Sequence, residues 1–133
     1  METLNARRIK RLAIGLAKAT NARDMANSIA IEIPGCWERN SFGSTAYSVG
    51  CLSAIVSTMR TEAGHDEDFA LAELGSAERL VNNFPLKRTS EYSPDSAIYE
   101  WSRIANSLSI VAHLYELELD LTARGLIGKE VEA

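Results

Sequence analysis

The sequence has few of the residues that cross-link a small protein or interrupt its helices. It contains two cysteines, Cys36 and Cys51, and three prolines in 133 residues. The cysteines form no C-x-x-C motif and have no zinc-ligand spacing with histidine, which argues against a disulfide framework or a zinc finger. We interpret both as reduced thiols, with Cys51 in the core because its segment is apolar. The N-terminus lacks a signal-peptide pattern, so we expect a cytoplasmic protein.

Motifs of nucleophilic catalysis and nucleotide binding are also absent. The sequence contains no G-x-S-x-G elbow and no G-x-G-x-x-G loop, and Gly43-Ser44-Thr45 lacks the lysine of a P-loop. These absences argue against the commonest hydrolase and nucleotide-binding sites. We therefore expect no bound cofactor and favour a non-catalytic role, while a small helical enzyme stays an alternative.

Charge is missing from one long segment, Asn40 to Met59. The segment is long enough to span a bilayer. It also holds several serines, threonines and glycines, whose polar groups are costly in lipid. We therefore interpret it as a buried helix of a water-soluble protein, without a membrane partner.

Length and composition favour one folded domain. Apolar residues make up 46% of the chain and charged residues 24%, as in ordinary globular proteins. Apolar spacings of three and four predict an all-α fold, a compact bundle of four to five helices with a central apolar helix. We expect residues 1–125 to form the domain and residues 126–133 a flexible tail.

The positions of proline, glycine and capping residues predict where the helices begin and end. A first helix is expected over residues 3–20, and after a joint near Asn21 a second helix is expected over 22–31, stopped by Pro34-Gly35. A loop carrying Trp37 should follow. Further helices are expected at 44–62 (the central helix), 67–83 with Asp66 as N-cap, and 94–124. Gly64 and Gly125 are the predicted helix ends, and residues 85–93 the connection before the last helix.

The first and third helices each have one predicted apolar face. These faces consist of Ile9, Leu12, Ala13 and Leu16 on the first helix, and Phe69, Ala70, Leu74, Ala77, Leu80, Val81 and Phe84 on the third.

The last helix carries two apolar stripes. The first, which we call the seam, consists of Ile98, Trp101, Ala105, Leu108, Ala112, Tyr115 and Leu119. The second, which we call the outer stripe, consists of Ile110, Leu114, Leu117 and Leu121. Alternation from Glu116 to Leu121 also fits a strand, but it continues the helical period. A helix apolar on two sides must be covered twice, so the helix is either central or an interface.

The outer stripe is therefore the first candidate for an interface with a protein partner or a second copy in a homo-oligomer. Trp37, beside Phe42 in the expected loop, is a second possible anchor, although such aromatics often fold onto the core.

Basic residues concentrate on the first helix, which gives a nucleic-acid alternative. Six Lys or Arg residues lie between positions 7 and 23. We place Arg7, Arg11 and Lys18 on one face, with Arg8 beside them, where they could bind phosphates. The formal charge of −4 for the whole chain disfavours this interpretation.

Two polar residues suggest an acid–base or metal site. Glu73 falls inside the apolar face of the third helix and needs a partner, for which His113 or an arginine is available. Glu62 and His65 form one E-x-x-H pair, whereas ferritin-like sites need two. We expect no bound metal and favour a structural bond for Glu73. Together the patterns predict a small binding or regulatory protein that acts through a helical surface.

Overall fold

The computed structural model describes residues 3–39, 41–63, 68–84 and 94–126. They form four α-helices without a strand: α1 (Leu4–Arg39), α2 (Gly43–Glu62), α3 (Asp68–Asn83) and α4 (Pro94–Ala123). The all-α prediction is confirmed, and Glu116 to Leu121 is helical. The predictions for Gly64, His65, Asp66, Glu67 and the segments 85–93 and 127–133 lie outside the described residues.

The first helix is one unbroken element, so the predicted joint near Asn21 and the stop at Pro34-Gly35 are wrong. α1 continues through Pro34 to Arg39. Proline inside a helix costs about 3 kcal/mol, because it donates no hydrogen bond and crowds the preceding turn. Continuation keeps Ile33, Cys36 and Trp37 on the buried face. Burying such side chains contributes roughly 1.5–3 kcal/mol each, which outweighs the proline.

The four helices form an antiparallel ring in chain order. Each helix packs against the next, and α4 closes the ring against α1 in the most extensive contact. Directions follow from cross-helix pairs: Glu32 with Thr45 and Lys18 with Glu62 join α1 to α2. Ser53 with Asn82 and Arg60 with Glu78 join α2 to α3. Phe69 with Tyr115 and Phe84 with Trp101 join α3 to α4.

The α1–α4 contact combines small residues with large ones. The buried stripe of α1 repeats at spacings of three and four and is lined mainly by alanine and glycine in its middle: Leu12, Gly15, Ala19, Ala22, Ala26, Ile29 and Ile33. The facing α4 residues are mostly large, and Trp101, Leu108 and Tyr115 of the predicted seam are buried as expected. Ile98 is 36% exposed, and the buried stripe of α4 also includes Ile104 and Val111. Small residues opposite large ones let the helices approach closely.

The second helix is a wall of the bundle with one solvent-facing side, and this differs from the predicted central position. Val49, Leu52 and Val56 are buried, but Tyr47 is 76% exposed and Ala54 is exposed. The predicted core residue Cys51 is half-buried. None of the helices within the described ranges has both the length and the apolar character needed to cross a membrane.

Among the described residues, one end of the bundle is formed mainly by α1 and α4. α2 ends at Glu62, beside Lys18 of α1, and α3 begins at Asp68, beside Tyr115 of α4. Residues 4–10 of α1, about two turns, and residues 116–123 of α4 therefore extend past the last turn of α2 and the first turn of α3. We call these two segments the α1–α4 end.

Candidate interaction surface

The outer stripe of α4 is partly uncovered. Ile110 is 42% exposed and Leu117 is 44% exposed, whereas Leu114 and Leu121 are half-buried. The opposite stripe, with Leu108, Val111 and Tyr115, is buried in the ring. α4 is therefore not enclosed on both sides, and its surplus apolar residues face solvent along the stripe.

The surroundings of the stripe are acidic. No Lys or Arg occurs between residues 104 and 123. Glu116 and Asp120 are exposed beside Leu117, and Asp120 forms an ion pair with Arg124 one turn later. Glu118 instead faces α1, where it accepts a hydrogen bond from Arg8. The stripe thus presents leucines with carboxylates beside them.

Trp37 belongs to the core, which corrects its prediction as a loop anchor. The side chain is 1% exposed and lies on α1, edge-to-face with Phe42 at a centroid distance of 5.6 Å. Its indole N–H has no hydrogen-bond partner among the described residues, and the same is true of Trp101. A tryptophan this deeply buried offers no surface to a partner. Trp37 packs onto the core, as the alternative for this aromatic expected, but from the last turn of α1 rather than from a loop.

The basic residues of α1 do not form one phosphate-binding face. Arg8 stands one turn before Leu12 on the buried stripe and points inward. Its Nε donates to Thr122 Oγ1 at 3.3 Å and its Nη2 to Glu118 Oε2 at 3.0 Å. Lys18 pairs with Glu62 at 2.6 Å, while Arg7 and Arg11 are exposed. Arg8, predicted to lie beside the face of Arg7, Arg11 and Lys18, is instead turned toward α4.

Glu73 and His113 are not brought together. Glu73 is half-buried in a crevice of about 210 Å³ between α3 and α4, lined also by Arg79, Arg103 and Asn106. His113 is exposed, and no described hydrogen bond joins it to Glu73. An arginine-lined crevice fits the structural interpretation of Glu73 better than the pairing with His113. The described ranges hold no group of three or more His, Cys, Asp or Glu side chains arranged for a metal ion.

A cleft that sequence reasoning missed lies where α2 stops beside α1. Its floor is formed by Ile14, Gly15, Met59 and Tyr115, and its volume is about 410 Å³. We call it the end cleft.

The rim of the end cleft is charged. It carries Arg11, Lys18 and Glu62, with Lys18 bonded to Glu62 across it. No acidic residue occurs between Thr3 and Arg23, so the α1 side of the cleft is basic. A glycine at position 15, inside a helix where glycine is unfavourable, was the available sequence signal.

Comparisons with known proteins add no assignment to this geometry. A scan against protein-family models, a search of curated proteins and a search of solved structures each found no match. The surfaces of this chain that could bind a partner are the partly uncovered outer stripe of α4, with acidic residues beside Leu117, and the basic-rimmed end cleft.

Proposed function

We propose that this chain is a small non-catalytic binding or regulatory protein that acts through a helical protein–protein interface and forms homo-oligomers. The observation that supports the proposal is the outer stripe of α4, where Ile110 and Leu117 are each more than 40% exposed. Apolar side chains grouped on one helix face, with polar neighbours, are typical of interfaces. Most of the seam of the same helix, including Trp101, Leu108 and Tyr115, is already buried within the ring, whereas the exposed residues of the outer stripe are not covered by the described helices.

The free energy available from burying the outer stripe is too small to drive association by itself. Completing the burial of Ile110 and Leu117 contributes about 1 kcal/mol each, since each is already more than half covered. Association costs at least about 4 kcal/mol in lost translational and rotational freedom. The interface must therefore include further contacts, and the α1–α4 end supplies charged and apolar groups for them.

The nucleic-acid alternative has less support. It uses the exposed Arg7 and Arg11, but Arg8 and Lys18 are engaged with carboxylates. If α1 bound nucleic acid, affinity would fall steeply with salt and would collapse in Arg7→Glu/Arg11→Glu. Filter binding across a salt series tests this directly, and binding that is absent or independent of salt would remove the alternative.

The alternative of a small helical enzyme or metal-binding protein depends on Glu73 and His113. His113 is exposed and no described hydrogen bond joins it to Glu73, so this alternative has less support. Glu73 remains in a crevice with Arg79 and Arg103. A Glu73→Gln variant that lost a measured activity or bound metal without unfolding would revive this alternative.

The test of the proposed interface places charges on the outer stripe. In Ile110→Glu/Leu117→Glu, both substituted side chains are already partly exposed, so the fold should persist while association is lost. Sedimentation velocity measures association, and far-ultraviolet circular dichroism measures helical content. The matched control is Ile31→Glu, which adds a charge at a 79% exposed apolar site on α1. A folded double variant that associates as the wild type does would contradict the proposal.

A further inference from the structure

We infer that the end cleft of one molecule receives Leu117 of a second copy of this chain, so that self-association is head-to-tail. The inference rests on the proposed function, because it uses the outer stripe of α4, and it names the occupant of the interface. Both surfaces lie near the α1–α4 end. The stripe has an exposed leucine with acidic neighbours, and the cleft has an apolar floor with a basic rim.

The apolar parts of the two surfaces match. The end cleft is lined mainly by apolar groups, with Ile14 and Met59 on its floor. Its volume of about 410 Å³ readily accommodates a leucine side chain and part of its helix. Leu117 is 44% exposed, with half-buried Leu114 and Leu121 beside it on the same stripe. An apolar side chain entering a cleft is the usual centre of a protein interface.

The charges of the two surfaces also match. Arg11 and Lys18 stand on the rim of the cleft, on a helix without acidic residues from Thr3 to Arg23. Glu116 and Asp120 stand beside Leu117, on a helix without Lys or Arg from 104 to 123. Within one molecule Lys18 is bonded to Glu62, Asp120 is paired with Arg124, and Arg11 also has an interaction of its own. The attraction therefore comes from the opposite net charges of the two helix segments rather than from unpaired groups. Opposite charges at the edges of a contact guide association and orientation.

Leu117 cannot fill the cleft of its own molecule. Tyr115 forms part of the cleft floor, and Leu117 follows it by two residues on the same helix. Two residues correspond to a rotation of about 200° around the helix axis, so Leu117 points away from the cleft. The two surfaces therefore face different directions, and a contact between copies is heterologous. Such a contact continues from copy to copy unless a ring closes it.

The experiment blocks each surface separately and then mixes the blocked proteins. Leu117→Glu removes the inserted leucine, and Ile14→Glu places a carboxylate in the cleft at a side chain that is 56% exposed. We expect each variant to be a folded monomer, with association weakened by about tenfold or more, as for a residue at the centre of an interface. An equimolar mixture retains one intact leucine and one intact cleft. It should therefore form a 1:1 complex and nothing larger, while the wild type grows beyond a dimer as its concentration rises.

Sedimentation velocity and native mass spectrometry separate the outcomes, with Ile31→Glu as the folded control. A mixture that stays monomeric overturns the inference. Loss of association in Leu117→Glu but not in Ile14→Glu also overturns it and leaves the proposed interface standing. Full association in both variants overturns the inference and counts against the proposed function. A monomeric wild type that carries a small-molecule mass, lost in Ile14→Glu, assigns the cleft to that molecule and overturns the inference.

Discussion

At the residue scale, Gly15 determines how closely α1 and α4 can approach. The residue is buried in the first third of α1, against the ring of Tyr115. A Cβ atom built at position 15 would lie 2.7 Å from Cδ1 of that ring, inside van der Waals contact. The same absence of a side chain leaves room for the end cleft, so one glycine serves both the helix contact and the candidate site.

Substitution of two glycines by alanine should give opposite results. Alanine stabilises a helix by about 1 kcal/mol relative to glycine, whereas overpacking a core costs about 1–3 kcal/mol. We expect Gly15→Ala to lower the free energy of unfolding by about 1 kcal/mol, because the clash with Tyr115 outweighs the helix propensity.

The matched control is Gly50→Ala on α2, where a built Cβ meets nothing within 4 Å. This variant should raise the free energy of unfolding by about 0.5–1 kcal/mol. Urea denaturation of both variants measures the difference. Equal stabilisation of the two would show that Tyr115 moves aside at little cost.

Arg8 replaces apolar packing with hydrogen bonds at the N-terminal end of the buried stripe of α1. Its position continues the buried stripe of α1 one turn before Leu12, toward the beginning of the helix. Its side chain is 13% exposed and bonds to Glu118 and Thr122 of α4. Charged and hydroxyl groups at these positions let two helices continue together without an apolar core that would need further cover.

At the element scale, α1 remains helical through Pro34 because its last turns are anchored in the core. These turns bury Cys36 and Trp37, and Cys36 lies 3.3 Å from the hydroxyl of Thr45, at the beginning of α2. That hydroxyl also donates a hydrogen bond to Glu32. These contacts stabilise the helix on both sides of the proline.

Replacement of the proline should therefore stabilise the protein. Pro34→Ala restores a backbone donor toward the carbonyl of Ala30 and removes the ring from the helix interior. The gain of up to about 3 kcal/mol is reduced by about 1 kcal/mol, because the unfolded chain becomes less restricted.

We expect the free energy of unfolding to rise by about 2 kcal/mol in Pro34→Ala. Chemical denaturation monitored by tryptophan fluorescence, which reports on buried Trp37, measures this change. A decrease would mean that packing of the half-buried proline ring contributes more to stability than the lost hydrogen bond does.

At the scale of the whole molecule, charge is divided between the two helices of the α1–α4 end. Basic residues without acids begin α1, and acidic residues without Lys or Arg end α4. Arg8 and Glu118 join the two within one molecule. Exposed groups of each sign remain, including Arg7 on α1 and Glu116 on α4, for contacts between molecules.

Self-association through these groups should depend on both concentration and salt. Anything that binds only the folded state raises its stability by mass action, so the melting temperature should rise with protein concentration. Added salt screens exposed charges, and association should therefore weaken between about 0.05 and 0.5 M salt. Thermal scans over a hundredfold concentration range at both salt levels measure this. A melting temperature independent of concentration would contradict self-association.

Local periodicity in the sequence determined the buried faces of α3 and most of α4, but not that of α1. Of the predicted apolar face of α1 only Leu12 is buried, and Ala13 is exposed. Spacings of three and four correctly placed Leu74 and Val81 on α3, and Trp101 and Leu108 on α4, in the core. The same spacings separated the outer stripe from the seam. A helix carries this information in its own residues, because side chains three and four apart share a face wherever the helix lies.

Only the tertiary structure decided what depends on where neighbouring helices begin and end. Proline and glycine predicted a stop in α1, but burial of Trp37 by other elements overrode them. Arg8 was predicted to be a surface cation, but it lies on the buried face of α1 and donates a hydrogen bond to Glu118 of α4. The end cleft forms because α2 ends near Gly15 of α1. The local sequence of either helix does not predict that these two positions lie side by side. Burial is a property of several segments together, so a single segment cannot specify it.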